Sequence, residues 1–143
     1  MPFVSLDAVK EQLYATSAAR LDGFELRRAA EEALAEILKT IVGPVVVDMW
    51  VQPGRDKDRV TDLLAESAWD VVEVLCRVPG EVATERYRRR ARSGPHRPAD
   101  AATLQRIHEA AEAPEFLGVD RRLEVDTSRP VNLQMLAQDV RTQ

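Results

Sequence analysis

The chain has 143 residues, 45% of them hydrophobic, with 20 Lys and Arg against 24 Asp and Glu and a formal net charge of −4. That length buries one core but not two, so a single domain over residues 1–143 is expected. The acidic balance argues against a general binder of nucleic acid or anionic membranes, the single cysteine excludes an internal disulfide and fits a reducing cytosol, and no apolar run approaches the roughly 18 residues of a membrane span, so a soluble cytoplasmic protein is expected.

Residues 3–6 read as a short strand, and Asp7 reads as the N-cap of a helix carrying Ala8, Val9, Leu13 and Tyr14. Residues 16–22 are small and polar, a loop. From Phe24 to Ile41 the apolar residues Leu26, Ala30, Ala33, Leu34, Ile37, Leu38 and Ile41 form one helical stripe, which Gly43-Pro44 ends. The run VVVDMW at 45–50 has the pattern of a strand buried on both faces. Residues 52–55 form a turn, 56–68 a helix, and a second buried strand starts at Asp70 with Val71, Val72, Val74 and Leu75, where Cys76 is expected to pack in the core. Pro79-Gly80 turns the chain into a helix that becomes basic after Glu85. Residues 100–113 read as a helix, 122–127 as a strand and 131–140 as a closing helix, with Met49, Trp69 and Met135 expected to pack.

Alternation of strand and helix with crossovers of this length predicts an open α/β sheet of parallel strands with helices on both faces. Such sheets bind ligands at the carboxyl ends of their strands, so Ser5, Asp7, Asp48, Trp50, Arg77, Asp126 and Thr127 are the residues to weigh. Asp7 there serves either as a helix cap or as an acid facing a substrate, and Asp48 either opens a turn or holds Mg²⁺. Arg86, Arg89 and Arg90 fall at i, i+3 and i+4 on one helical face, with Arg88 and Arg92 beside them. Five like charges so close repel one another unless an anion joins them, or unless Glu81, Glu85 and Glu109 pair with them. His108 lies on a helix with Glu109 and Glu112 but has no second ligand at metal spacing, which argues against zinc.

The run VVEVLCRVPGEVATERYRRRARSGPHRP, followed by LEVDTSRP, resembles the second half of small P-loop kinases of the AAA-type ATPase and kinase family, the chloramphenicol phosphotransferase-like and zeta-toxin-like enzymes. VSLDAVKEQLY resembles that family's second strand and the acid after it, so the resemblance extends from Phe3 to the end. It implies an α/β fold with a three-layer open parallel sheet of the P-loop nucleoside triphosphate hydrolase type. It also implies ATP and Mg²⁺ as cofactors and transfer of the γ-phosphoryl to a hydroxyl of a small molecule. Asp7 matches the acid that faces the acceptor hydroxyl, and Asp48 the acid near the metal. Residues 86–98 match a lid in which Arg86, Arg89 and Arg90 neutralise the transferring phosphoryl. Arg86, Arg90 and Arg92, together with Asp126 and Thr127 of the family's "VDT" strand end, are then the ATP-binding residues, and His96 and Arg97 extend the lid.

One departure stands against that pattern. The family's first strand and its G-x-x-x-x-G-K-[ST] loop would precede Phe3, and none of the six glycines begins such a motif. In the family that strand is central, so its neighbours would be left two strand spacings, roughly 10 Å, apart with rows of unpaired backbone groups. Three outcomes are open: a fragment with an upstream start, a sheet repaired within itself, or a strand donated by another chain, the last favouring a homo-oligomer. The chain as written is expected to have little or no kinase activity. The alternative is a non-catalytic kinase-like domain that binds an anionic ligand or a protein partner. A nucleic-acid module is disfavoured by the net charge and by the absence of aromatics among the arginines beyond Tyr87.

Overall fold

The computed structural model describes residues 1–16, 21–52, 54–65, 69–90, 94–96 and 98–142. In chain order these form β1 (Phe3–Ser5), α1 (Leu6–Thr16), α2 (Gly23–Thr40), β2 (Val46–Asp48), α3 (Lys57–Ala65), β3 (Val72–Arg77), α4 (Gly80–Arg89), α5 (Ala101–Glu112), β4 (Arg121–Asp126) and α6 (Leu133–Thr142). The fold is mixed α/β and its strand pairs are parallel, as the alternation predicts. The hydrogen bonds, however, close on two separate two-stranded ladders instead of one continuous sheet. In one, Phe3 stands opposite Val46 and Ser5 opposite Asp48; in the other, the register runs from Val72 opposite Arg121 to Arg77 opposite Asp126. The chain divides into two compact units, Met1–Trp50 with Arg92–Arg97, and Val51–Ala91 with Pro98–Gln143.

The first unit is built on α2. Its start is fixed by a capping box: Asp22 Oδ1 accepts from the backbone N–H groups of Phe24 (2.7 Å) and Glu25 (2.8 Å), while Glu25 Oε2 accepts from Asp22 N–H at 3.1 Å. Ala30 and Leu34 on its buried stripe meet Leu6 of α1, and Val4, Val9, Leu13, Leu38, Val47 and Met49 pack around them. Val4 and Val47 thus face the helices, whereas Phe3 and Val46, paired with each other, are exposed, and so is Trp50. The run 45–50 is therefore not a strand buried on both faces. Burial alternates along it because the helical core covers one side of the ladder, and strand side chains alternate between sides.

The second unit is held more by polar contacts. Asp56, 1% exposed, accepts from Arg55 through both carboxylate oxygens (2.8 and 2.6 Å) and from Arg59 (3.3 Å), and its backbone carbonyl starts α3 by accepting from Val60 N–H. The Asp100 side chain caps α5 through Thr103 N–H at 2.7 Å, and the Asn132 side chain caps α6 through the N–H groups of Gln134 and Met135. The β3–β4 ladder continues past its last register pair as Thr127 N–H donates to the Arg77 carbonyl at 2.8 Å. Cys76 is exposed, contrary to the expected core position: burial along β3 is partial from Val72 to Leu75 and is lost at its last two residues, Cys76 and Arg77. Met135, expected to pack, is exposed as well, on a helix with no fully buried residue. Among the described residues no helix is long and apolar enough to cross a membrane.

Candidate functional site

The carboxyl ends of the parallel strands gather the candidate residues in two groups, one in each unit. In the first unit, Ser5 Oγ donates to Asp48 Oδ2 at 3.3 Å across the register pair that ends β1 and β2. One residue on, buried Leu6 pins the turn into α1 and leaves Asp7 exposed. Asp7 lies within the first turn of α1 and not at its cap, a place where the helix N-terminus favours a carboxylate. Below Asp48 the chain leaves β2 through Trp50, whose carbonyl accepts from Arg27 at 2.8 Å; Arg27 also pairs with Glu31 at 2.6 Å.

The donor set tests the expected metal. Mg²⁺ keeps several waters and is held by one or two carboxylates together with phosphate oxygens. Asp48 with the Ser5 hydroxyl beside it fits such a shared site. It does not fit a metal caged by protein alone, since among the described residues no three His, Cys, Asp or Glu side chains come together for a metal.

In the second unit, Arg77 and Asp126 close the β3–β4 register, and Arg77 Nη1 pairs with Glu124 Oε1 at 3.0 Å. Thr127 is held from two sides. Its Oγ1 donates to the Arg77 carbonyl at 2.9 Å, and its own carbonyl accepts from Arg86 Nη2 at 2.6 Å, with Arg86 Nη1 3.4 Å from the Thr127 hydroxyl. Asp126 accepts from Ser128 N–H at 2.8 Å, and hydrogen bonds from the Ser128 side chain and backbone, with the Arg129 charge, hold its carboxyl below the usual range. Arg88 and Arg89 each lie 2.7 Å from Glu85, at helical spacings of three and four, and their hydrogen bonds pull the Glu85 carboxyl down.

The arginine cluster therefore has internal structure that its spacing does not reveal. Arg86 is tied to the strand end, Arg88 and Arg89 lie along their own helix with Glu85, and Arg90 is exposed with no ion pair among the described residues. Arg92 and Arg97 lie outside the described residues. His96, expected beside them, sits in the first unit with its Nε2 2.7 Å from Glu11 Oε1 of α1. His108 faces Gly80 at the start of α4, where Glu112 accepts from Gly80 N–H at 2.6 Å.

Two pairings lie outside what the spacing predicts, Glu11 with His96 and Glu112 with Gly80. Glu112 is 32 positions from Gly80 and Glu11 is 85 positions from His96, and no local pattern signals either pairing. A cavity of about 350 Å³ lies at the other, amino-terminal ends of β3 and β4, lined among others by Thr61, Trp69, Asp70, Leu117 and Arg121; none of the candidate residues borders it.

No family model matches the sequence, and no curated protein matches it either. Among solved structures the chain is similar to a crystal structure from Chloroflexus aurantiacus J-10-fl named as a "putative kinase", with a TM-score of 0.79 and 20% sequence identity, over 99% of this chain and 83% of that one. At that identity the likeness is one of fold, and it takes in nearly the whole chain.

Proposed function

We propose that the chain is the acceptor- and lid-bearing part of an ATP-dependent phosphotransferase of the P-loop type, acting on a hydroxyl of a small molecule. The observation that carries this reading is the end of the β1–β2 pair, where exposed Asp7 opens α1 and Asp48, hydrogen-bonded to Ser5, ends the adjacent strand. Two facts support it. The fold is shared with a protein named as a kinase. And the strands of each unit pair in parallel, β1 with β2 and β3 with β4.

In this reading Asp7 accepts the proton of the acceptor hydroxyl as it attacks. Asp48 and the Ser5 hydroxyl would hold Mg²⁺, directly or through water, and the ion bound with ATP supplies charge neutralisation on the phosphates. Arg90, with Arg89 and Arg92 near it in sequence, provides permanently charged donors for the transferring phosphoryl. Arg86 serves the nucleotide side through Thr127, fixing the strand end that carries Asp126. The phosphate-cradling loop has no counterpart among the six glycines, so it has to come from a segment outside these residues.

The test is γ-phosphoryl transfer from ATP-Mg²⁺ by a form extended with the upstream coding sequence. Asp7→Asn should lower kcat by about 10² to 10⁴, the usual contribution of a general base, with ATP affinity unchanged. An upstream sequence without a glycine-rich loop, together with no transfer, sinks the proposal. A second reading, binding of an anionic ligand without catalysis, is favoured by the arginines of residues 86–92 standing in a sequence where none of the six glycines begins a phosphate-cradling motif. Saturable binding of a phosphorylated ligand by this chain with no turnover in either form would select it.

A further inference from the structure

The basic segment after α4 was expected to serve the phosphates along its whole length, yet residues 94–96 belong to the first unit and rest on α1. His96 is 13% exposed in its side chain, and its Nε2 lies 2.7 Å from Glu11 Oε1. Two residues earlier the backbone runs beside the ring of Tyr14: a Cβ on Gly94 would lie 3.5 Å from Cδ1 and Cε1, an ordinary van der Waals distance. Gly94 has φ +66°, a left-handed conformation that a residue with a Cβ adopts at a cost, so glycine suits the turn that brings the backbone beside this ring. Asp7, Glu11 and Tyr14 follow one another at i, i+4 and i+7, which puts them on one face of α1. Residues 94–96 thus lie on the face that carries Asp7, and Glu11 is one helical turn, about 6 Å along the axis, from that acid.

We propose that residues 94–96 are a strap seated on α1, that His96 and Glu11 are its clasp, and that the strap walls the acceptor side of the site and so determines which hydroxyl compounds reach Asp7. His96 is then a positioning residue on the acceptor side and not part of a phosphate-binding lid. The clasp is a hydrogen bond to the helix, and the left-handed turn at Gly94, beside the Tyr14 ring one turn beyond Glu11, sets the backbone that brings His96 to it. What the strap walls rests on the reading of Asp7 as the acid facing the acceptor; the clasp itself does not.

The sequence provides a direct probe. Arg88, Arg89, Arg90 and Arg92 lie just ahead of the strap, and trypsin cuts after arginine when a segment leaves its seat. Cleavage of a native protein tracks the population of the open form when reclosing is fast. Timed trypsin digestion of the full chain, with fragments identified by mass, should show Glu11→Ala and His96→Ala cut in this segment about fivefold faster than the parent, the scale expected for losing one partly exposed pair. The exchanged pair Glu11→His with His96→Glu should return the rate toward that of the parent, a rescue that mere loss of packing would not give. Circular dichroism melts of each variant, unchanged within a few degrees, show that cleavage reports the strap and not global unfolding. Parent-like cleavage of both single variants, or no rescue by the exchange, overturns the clasp and leaves the proposed role of Asp7 standing. In the upstream-extended form the clasp variants should change KM for the acceptor at least severalfold with KM for ATP unchanged. If instead KM for ATP moves and that for the acceptor does not, the strap serves the nucleotide and the acceptor wall is refuted.

Discussion

The two units of this protein achieve stability by different means. The first is organised by apolar packing: Leu6, Ala30 and Leu34 are buried together, and α2 enters that core already capped at its start. The second buries little apolar surface, with Val60 its only fully buried hydrophobic residue among those described, and its interior holds a buried charge instead, Asp56 paired with Arg55 and Arg59, while Lys57 with Glu115 and Arg77 with Glu124 pair at the surface. Their strand ends differ in the same sense. Asp7 and Asp48 stand at the end of β1–β2, where no arginine pairs with them in any described contact, whereas the end of β3–β4 is cross-linked by arginines. A unit made rigid by packing can present exposed carboxylates without needing them for stability. In the second unit the arginines at the strand end are partly engaged before any ligand arrives.

The sharpest way to break this contrast is to truncate the two interiors. Leu34→Ala should cost about 2–4 kcal/mol in a denaturant titration, while Val60→Ala, which removes one carbon fewer, should cost about 1–2 kcal/mol. Equal losses would mean that the second unit has an apolar core as demanding as the first. A smaller effect is expected at the start of α4. A Cβ at Gly80 would lie 2.5 Å from His108 Nδ1 and 2.8 Å from Glu112 Oε1, so Gly80→Ala must displace both side chains and with them the carboxylate that caps the helix. That should lower stability by about 1–2 kcal/mol, read from the urea midpoint.

Titration distinguishes the charges that the second unit needs from those it merely carries. Burial pushes the Glu73 carboxyl up from 4.5, despite the N–H of Leu117 at 2.9 Å and the charges of Lys57 and Arg122. A folded-state pKa raised above the unfolded value gives stability that is fully present below about 4.5 and is lost as pH rises through the folded value. The urea midpoint of the parent should therefore fall relative to that of Glu73→Gln as pH is raised from 4.5 toward neutrality, and a difference independent of pH would contradict the assigned cause. Glu85 and Asp126 have the opposite sign, with folded values below 4.5 and 3.8, so their contributions are present above those values and fade on acidification. Both are solvent-exposed, and Arg88→Ala or Arg89→Ala should leave the melting temperature unchanged within error.

What was legible in the sequence was local. The apolar stripe of α2, the breaker Gly43-Pro44 and the order of strands and helices all follow from spacing, and even the missed capping box at Asp22 and Glu25 has a local signature. What was not legible depended on which face a neighbour covers. The run 45–50 looks continuous in hydrophobicity, yet Val46 and Trp50 are exposed, because hydrophobic content does not say that helices cover one side only. Cys76 differs for a related reason: it ends an apolar run, and the run does not say that cover over β3 stops before its last two residues. The candidate acids of the site, Asp7 and Asp48, are found at strand ends by topology. The engagement of the arginines and the seat of His96 on Glu11 are not, since a contact across 85 positions is set by tertiary structure alone.

We propose that these strand ends are one part of a nucleotide-dependent phosphotransferase whose phosphate loop lies outside these residues. Isothermal titration with ATP-Mg²⁺ of this chain, beside a form extended upstream to the preceding in-frame start, tests it most directly. The account predicts saturable binding by the extended form and none by the 143-residue chain alone. Absence of binding in both would contradict it and turn attention to the basic face of α4 as a surface for an anionic ligand or a partner protein.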